Sequence, residues 1–522
     1  MRKLPIGIQG FEGLRKDGYI YVDKTEYIYQ LVHTGKEYFL IRPRRFGKSL
    51  LLSSIKAYWQ GKKDLFEGCR IIDLEEDNPD AWAKYPVFLF DFNGQNYQDE
   101  NALEVALDVQ LRRWETEYGL NGKNNSLGER FQNLLITANQ QTGRRCVVLV
   151  DEYDKPLLET MEKPELEEHN KAVFKGFFSS LKRFDEYIQF VFITGVTKFE
   201  KFSVFSDLNQ LNDISRLEEY AGICGITEKE LLDNFAPEIE ETARKQNIEK
   251  EECVRILQER YDGYHFHPTG VGVYNPFSLL KVFYGKEFGS YWFATGTPTF
   301  LVRRLKTIGF DVRKLADQTL YASEAQISDY RADNPDPVPL LYQTGYLTIK
   351  DYDRLSREYT LAFPNEEVMY GFLECLVPEY IPGCSSGYGT DIFTLGRCVD
   401  RGDLDGIHRI LEALFASIPY TQDRNPFEHY FQTVIYLVFT MLGRFTSCEM
   451  HTVTGRVDCI VETEKYIYLF EFKRDGTAKE ALKQIEEKGY ALSFAADARK
   501  LYKIGVTFDS EKRILNGWEV QK

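Results

Sequence analysis

Four short apolar runs limit what the first 230 residues or so can fold into. The runs are YFLI at 38–41, VFLFDF at 87–92, CVVLV at 146–150 and IQFVFIT at 188–194. They are apolar at nearly every position and helical stretches separate them, as in strands buried on both faces. The pattern predicts an α/β domain with a parallel sheet. A fifth run, AGICGIT at 221–227, is expected to continue it, and a capping box follows at Thr227 and Glu230.

The remaining chain changes character twice. From about Leu231 to Gly383 it is mostly helical, and residues 340–363 predict a helix followed by a hairpin, as in a winged-helix module. The Gly- and Ser-rich segment IPGCSSGYGTD at 381–391 indicates a linker. Helices are expected beyond it, and then a strand-turn-strand-helix series that closes the chain. We therefore predict three domains, at 1–230, 231–383 and 384–522.

Length and charge restrict the class of protein. A chain of 522 residues is too long for one ordinary core. A net charge of -15 argues against binding nucleic acid by bulk charge alone, so such a site must be a local patch or use metal ions. Nine cysteines without a C-x-x-C pair suit a reducing compartment, and no apolar run reaches 18 residues. We expect a cytoplasmic protein that has no contact with a membrane.

The first of these runs leads into a phosphate-binding sequence. The stretch RPRRFGKSLLL at 42–52 follows EYFLI and matches the end of G-x-x-x-x-G-K-[ST], with Arg42 in place of the first glycine. Lys48 would bind the terminal phosphates and Ser49 would bind magnesium at the start of a helix. The predicted nucleotide contacts in this loop are Arg45, Phe46, Gly47, Lys48, Ser49 and Leu50. The alternative is a basic loop that only caps a helix.

Two later strands end in residues that would complete such a site. CVVLV is followed by Asp151 and Glu152, which suit a magnesium ligand and a group that polarises the attacking water. IQFVFITG ends near Thr194, which would sense the terminal phosphate. The alternative for the two acids is an N-cap pair at the start of the next helix. Two motifs in the expected order, each after its own strand, favour an ATP site.

These motifs resemble a known family. GYIYVDKTEYIYQL, FLIRPRRFGKSLLL, VVLVDEYDKP and FITGVTKF look like the bacterial AAA-ATPase-like family, whose members often end in a PD-(D/E)XK nuclease-like domain. The resemblance covers most of the chain, and the family itself uses the form RPRRFGKS. It implies an AAA-like or STAND-like ATPase with ATP and Mg²⁺ as cofactors, and it leaves homo-oligomeric assembly open.

Several other polar residues have more than one interpretation. Arg42, Arg44 and Arg45 would approach phosphate, pair with acids such as Asp91 or stay solvated, and we favour structural pairing for at least one. Arg216 is the candidate arginine finger. Asp23 is expected to be a helix N-cap, and the H-x-H pair of His265 and His267 is expected to be structural.

The second strong pattern lies near the C-terminus, in GRVDCIVETEKYIYLFEFKRDG at 455–476. It predicts a β-hairpin turning at Glu464 and Lys465, so that residue numbers paired across the strands sum to 929 and Asp458 faces Glu471. Lys473 then shares the face of Glu471. Two carboxylates and a cation suit metal-dependent phosphodiester cleavage. The alternative is a polar edge hairpin with an ordinary salt bridge, which the apolar residues of YIYLF disfavour.

This hairpin resembles the PD-(D/E)XK superfamily, with Val457 in place of the proline. The resemblance implies that Asp458 and Glu471 bind Mg²⁺ and that Lys473 activates water. It also implies a supporting role for Gln484, in a helix capped by Thr477 and Glu480, and metal binding by Glu428 near the start of an earlier helix. The alternative for either residue is a position on the surface of its helix. Glu449 is a weaker alternative ligand.

The sequence as a whole predicts an ATP-binding switch protein with two sites: a P-loop ATPase site and a Mg²⁺-dependent phosphodiesterase site whose expected substrate is DNA. The competing hypothesis is a regulatory or scaffold protein in which ATP controls conformation and the nuclease-like domain binds nucleic acid or protein without cutting. The acidic balance favours the second, and the complete set of Asp458, Glu471 and Lys473 favours the first.

Overall fold

The structure is a computed structural model that divides into two compact units. It describes residues 2–122, 125–199, 211–293, 336–380, 389–416, 445–452, 455–474, 476–509 and 514–521, with parts of 301–328 and 434–438. The first unit comprises Met1–Trp292 and Tyr321–Glu367, and the second comprises Phe293–Leu320 and Val368–Lys522. The three domain ranges proposed from the sequence remain a prediction.

The first unit is built on a parallel sheet. Within the described residues its strands are β1 Glu37–Ile41, β2 Val87–Asp91, β3 Cys146–Asp151, β4 Ile188–Gly195 and β5 Asn212–Asp213. They lie in the order β2-β3-β4-β1-β5, and every neighbouring pair is parallel. Because β1, β3 and β4 are adjacent, the loops after these strands converge at one edge of the sheet. The four predicted apolar strands are confirmed.

The prediction that the run at 221–227 forms a fifth strand of this sheet is wrong. Residues 221–226 form turns with a single bridge between Ile226 and Tyr274, and the fifth strand is the polar β5. Gly225 has φ +92° and its N–H donates to the carbonyl of Phe46, so the segment bends against the phosphate-binding loop. A run that turns through a left-handed residue cannot extend the sheet.

Helices cover the sheet and form the rest of the first unit. They are α1 Phe11–Lys16, α2 Thr25–Thr34, α3 Lys48–Trp59, α4 Arg70–Leu74, α5 Ala102–Tyr118, α6 Leu127–Thr142, α7 Lys155–Leu158, α8 Pro164–Arg183, α9 Glu228–Gln246, α10 Lys250–Tyr261, α11 Pro276–Gly285, α12 Glu324–Ser328 and α13 Val338–Gln343. The capping box of Thr227 and Glu230 starts α9 as predicted. None of the helices in the described ranges combines the length and apolarity needed to cross a bilayer.

A small three-stranded sheet also belongs to the first unit. Its strands are β6 Leu320–Ser323, β7 Thr348–Asp353 and β8 Glu358–Ala362, in the order β6-β8-β7. Strands β7 and β8 form the predicted hairpin directly after α13. The helix-plus-hairpin expected in the middle of the chain is therefore present, as in a winged-helix-like arrangement.

The second unit holds a mixed sheet. After α14 Glu366–Tyr380, α15 Gly389–Arg401 and α16 Leu404–Ala416 come β9 Phe445–Thr452, β10 Gly455–Glu462, β11 Tyr466–Arg474, α17 Ala478–Glu487, β12 Lys500–Asp509 and β13 Ile514–Gln521. The strand order is β13-β12-β11-β10-β9, and β11 and β12 are parallel. Strand β11 is central, as predicted, and α17 is the crossover helix. Most of the predicted linker lies outside the described residues, and its last residues begin α15.

Candidate functional site

The loop between β1 and α3 has the backbone of a phosphate-binding turn. Arg45 and Gly47 both have positive φ, at 68° and 92°, and Lys48 is the first residue of α3. The N-cap of this helix is Gly47, which has no side chain with which to cap it. The free N–H groups at the helix start therefore remain for an anion.

Lys48 is buried at the entrance of this loop. Its ammonium donates to the carbonyls of Arg42 and Pro43, at 3.1 and 3.2 Å, and lies 3.4 Å from Oε1 of Glu152. An ammonium with two neutral acceptors and one carboxylate is placed to exchange the carboxylate for a phosphate. The loop and the acid strand thus meet at one lysine.

Arg42, which replaces the consensus glycine, points away from the phosphate loop. Its guanidinium donates to the carbonyls of Ile41, Ser215 and Tyr220 at 2.6–2.9 Å. The guanidinium carbon lies 3.9 Å from the ring centre of Phe266, a cation–π contact. Burial lowers the pKa of Arg42. The role of Arg42 is therefore structural, with backbone carbonyls as partners where the sequence suggested acids.

The acid strand brings a carboxylate to the start of α3. Asp151 ends β3, and its carboxylate lies close enough to Ser49 for the serine hydroxyl to lower its pKa. Burial, and then the charge of Glu152, raise the pKa of Asp151 to about 6, while Ser49 and Lys48 oppose the rise. Its Oδ1 is buried with no hydrogen-bond partner in the described structure. Glu152 has φ +53°, and neither acid is the N-cap of α7, so the simple capping interpretation does not hold.

Thr194 lies beside the same loop on β4. It pairs with Leu40 in the parallel register of β1 and β4, and its side chain is fully buried. Its Oγ1 has no hydrogen-bond partner among the described residues. The residues predicted from three separate segments thus lie at the ends of adjacent strands. They are Lys48 and Ser49, Asp151 and Glu152, and Thr194.

Asp154 was missed by the sequence analysis. It is fully buried, and its carboxylate accepts the N–H groups of Val196 and Thr197 in the loop after β4. Burial, and then the charge of Glu152, raise the pKa of Asp154 to about 7, against the effect of the two N–H groups. The repeated acid in VDEYD was the available signal, because a third acid so near a buried strand requires a partner.

The remaining candidates of the first unit have structural contacts. Arg216, the arginine-finger candidate, pairs with Glu324 and donates to Ser328 at 2.8 Å. Asp23 is not the N-cap residue that the sequence predicted, since Lys24 and Cys69 are the N-caps of α2 and α4, but its carboxylate accepts the first N–H group of each helix. The H-x-H histidines hydrogen-bond local loop groups.

The C-terminal hairpin has the predicted register. The four pairs Cys459–Phe470, Ile460–Leu469, Val461–Tyr468 and Glu462–Ile467 connect β10 and β11, and each sums to 929. Continuing the ladder by one residue brings Asp458 opposite Glu471. The N–H of Phe472 donates to Oδ2 of Asp458 at 2.8 Å, which ties the carboxylate to this end of β11.

Glu471, Lys473 and Gln484 form a hydrogen-bonded triangle. Lys473 lies 3.3 Å from Oε1 of Glu471 and donates to the amide oxygen of Gln484. The amide of Gln484, on α17, donates to the same Oε1. Burial, and then the charge of Asp458, raise the pKa of Glu471 to about 7, and Lys473 opposes the rise. Oε2 of Glu471 is buried with no hydrogen-bond partner in the described ranges.

The donor sets at both sites suit magnesium. Asp151 with Ser49, and Asp458 with Glu471, present oxygen ligands, and each set keeps a buried oxygen without a protein partner. The described side chains contain no cluster of three metal-binding groups. Glu428 lies outside the described residues. Only the backbone of Glu449 is described. In the register of β9 and β10, Val457 is opposite Met450 and Cys459 is opposite Cys448. Glu449 therefore lies opposite Asp458.

The first unit has a P-loop next to a parallel strand that ends in two acids, which is the arrangement of an ATPase-like domain. The second unit has a mixed sheet with an E-x-K strand, which is the arrangement of a nuclease-like domain. A family profile described as a predicted AAA-ATPase matches residues 5–205, and one for the PD-(D/E)XK nuclease superfamily matches residues 426–518. The chain is also 36% identical over 532 residues to an "Uncharacterized protein in vnfD 5'region" of Azotobacter chroococcum mcd 1, covering 100% of this chain and 99% of the relative. The chain belongs to this AAA-ATPase-like family with a PD-(D/E)XK domain.

Proposed function

We propose that this protein is an ATP-driven switch that controls a Mg²⁺-dependent DNA phosphodiesterase in its second unit. One observation carries the proposal. In each site a buried carboxylate, Asp151 or Glu471, keeps one oxygen without a protein partner in the described structure, and a lysine, Lys48 or Lys473, lies nearby. A buried unpaired carboxylate oxygen is costly unless a ligand such as a metal ion uses it.

In the first site the residues divide the work of ATP hydrolysis. Lys48 and the N–H groups at the start of α3 bind the phosphates, and Ser49 and Asp151 hold the metal. Glu152 accepts a proton from the attacking water, and Thr194 contacts the terminal phosphate. Bound Mg²⁺ would neutralise phosphate charge at both sites.

In the second site the same division applies to a phosphodiester. Asp458 and Glu471 hold the metal, Lys473 orients or activates the water, and Gln484 fixes Glu471 and Lys473 from α17.

We place the protein in the cytoplasm, because the seven cysteines described, at 69, 146, 224, 253, 375, 398 and 459, are free thiols.

Plasmid DNA incubated with Mg²⁺, with and without ATP, tests the proposal. Wild type should cut, Glu471→Ala should lose at least about 100-fold in rate, and Lys48→Ala should change the ATP dependence by at least about 10-fold. The matched controls are Glu487→Ala and Lys16→Ala, whose side chains are 63% and 65% exposed.

Two other results would redirect the assignment. If wild type and Glu471→Ala leave DNA equally intact across Mg²⁺ and Mn²⁺, with and without ATP, the nuclease proposal fails. If DNA is bound in an ATP-dependent way but never cut, the protein is an ATP-controlled scaffold, which is the function that its acidic balance favours.

A further inference from the structure

Asp154 joins the ends of two strands that carry the ATP site. The backbone N–H of Val196 donates to both carboxylate oxygens of Asp154, with distances of 3.1 Å to Oδ1 and 3.0 Å to Oδ2. The backbone N–H of Thr197 donates to Oδ2 at 2.6 Å. Val196 and Thr197 follow Thr194 at the exit of β4, whereas Asp154 follows Glu152 at the exit of β3. One buried side chain therefore fixes the distance between two loops of the site.

This side chain is not used to stabilise its own helix. Asp154 is the N-cap residue of α7, yet it makes no side-chain cap hydrogen bond. Gly195 leaves room for the carboxylate, because a Cβ added there would lie 2.4 Å from Oδ1 of Asp154. A glycine at the end of β4 and an acid after β3 thus fit one another across the gap.

Neighbouring contacts strengthen the connection. The N–H of Tyr153 donates to the carbonyl of Thr194 at 3.2 Å, and the hydroxyl of Tyr153 donates to the carbonyl of Thr197 at 2.8 Å. Glu152, just before these anchors, has the unfavourable φ of +53° and directs its carboxylate toward Lys48. A non-glycine residue keeps such a conformation only where its surroundings hold it.

We propose that Asp154 is a positioning residue that sets Glu152 and Thr194 around the terminal phosphate of ATP without touching the nucleotide. The inference rests on the proposed function of the first site. Without the Asp154 anchor, the turn at Glu152 relaxes and the exit of β4 separates from it. Lys48 and Ser49 belong to α3 and keep their places, so the variant still binds a diphosphate but loses its preference for the triphosphate.

The test measures the dissociation constants of ATP and ADP, with Mg²⁺, by competition with a fluorescent nucleotide in the full-length protein. For Asp154→Asn we expect ADP affinity within about twofold of wild type and a preference for ATP over ADP reduced about tenfold. Gly195→Ala should do the same, since its Cβ pushes against the carboxylate while Asp154 remains. Asp73→Asn, at a residue whose side chain is 72% exposed, is the control.

The possible results separate the inference from the function on which it rests. Wild type that binds neither nucleotide overturns the proposed function and this inference with it. Wild-type binding with an unchanged ATP preference in both variants overturns the inference alone. Equal loss of ATP and ADP affinity, or a lower melting temperature with the preference intact, also overturns it, because a purely structural role predicts those outcomes.

Discussion

The ammonium of Lys48 lies 3.4 Å from a carboxylate oxygen of Glu152, although the two residues belong to different halves of the nucleotide site. Lys48 starts α3, and Glu152 follows β3. A phosphate that binds Lys48 therefore competes with Glu152 for the same cation. In the proposed function, the displaced Glu152 would stand beside the terminal phosphate, where hydrolysis needs a proton acceptor.

Replacing Glu152 with Gln should separate binding from turnover. The change removes a negative charge that competes with phosphate for Lys48, so ATP should bind about 3–10-fold more tightly. Hydrolysis should fall by at least about 100-fold, because the proposed general base is lost. Calorimetric titration with ATP and a phosphate-release assay measure the two effects.

Glu162→Gln is the matched control for this change, since Glu162 is exposed and lies only ten positions along the chain. It should leave both quantities within about twofold of wild type. Weaker ATP binding by Glu152→Gln would contradict competition between Glu152 and phosphate.

Restoring the consensus glycine at position 42 should destabilise the protein. Arg42→Gly removes donors to the buried carbonyls of Ile41, Ser215 and Tyr220 and the contact with Phe266. The carbonyl of Tyr220 keeps the N–H of Ile223 as a donor. A buried carbonyl left unsatisfied costs about 1–3 kcal/mol, so we expect a loss of about 2–5 kcal/mol in the free energy of unfolding. Urea unfolding followed by circular dichroism measures it.

Arg44→Ala serves as the comparison for Arg42→Gly, because Arg44 is exposed in the same loop. Its effect should stay within about 0.5 kcal/mol. If Arg42→Gly is as stable as wild type and binds ATP more tightly, Arg42 has no structural role and only weakens the phosphate-binding loop relative to glycine.

The sequence predicted those features that depend on neighbouring residues. The four strands of the first sheet are apolar at nearly every position, and the turn at Glu464 and Lys465 determined the register of the C-terminal hairpin. Both follow from local patterns, namely single strands or two strands joined by a short turn. They therefore needed no knowledge of distant contacts.

The partners of Arg42 and Asp154 are distant in sequence and could not be identified from it. The partners of Arg42 lie 173 and 178 positions along the chain, and those of Asp154 lie 42 and 43 positions along. Whether a buried charge bonds phosphate, acid or backbone depends on which loop folds against it. The run at 221–226 misled for a similar reason, because its contact with Phe46 selects a turn over a strand.

Gly505→Ala should displace the helix that carries Gln484. Gly505 pairs with Glu471 on the neighbouring strand, and a Cβ on it would lie 2.2 Å from the carbonyl oxygen of Ala478 in α17. Forcing this backbone apart should cost about 1–3 kcal/mol. It should also lower DNA cleavage well below the transition temperature, because Gln484 moves away from Glu471.

The control for this helix displacement is Gly476→Ala. The nearest atom to its added Cβ is a carboxylate oxygen of Glu480, at 3.2 Å, and this contact is relieved by a much smaller displacement than the 2.2 Å contact at Gly505 requires. Thermal denaturation and the plasmid assay should show little change. If Gly505→Ala cleaves plasmid DNA like wild type and has the same thermal transition, there is more room between β12 and α17 than their contacts indicate.

Magnesium binding at the second site should weaken as the pH falls through about 7. The pKa of Glu471 is raised to about 7, chiefly by burial, so a proton competes with the metal below that pH. Between pH 8 and pH 6 the affinity should fall about tenfold, as expected for displacement of one proton. Calorimetric titration of Lys48→Ala with Mg²⁺, without nucleotide, reports this site with the first one impaired.

Glu471→Gln provides the control for the proton linkage and a second sign to check. Because the folded-state pKa of Glu471 exceeds the unfolded value of 4.5, its ionisation destabilises the metal-free fold as the pH rises from about 4.5 to about 7. Glu471→Gln should therefore melt at a higher temperature than wild type at pH 8 without Mg²⁺, and its melting temperature should not respond to Mg²⁺ at this site. Magnesium affinity that is constant from pH 6 to pH 8 would mean either that Glu471 is not a ligand or that its carboxyl is already ionised at pH 6, since a bound metal competes only with a proton that is present.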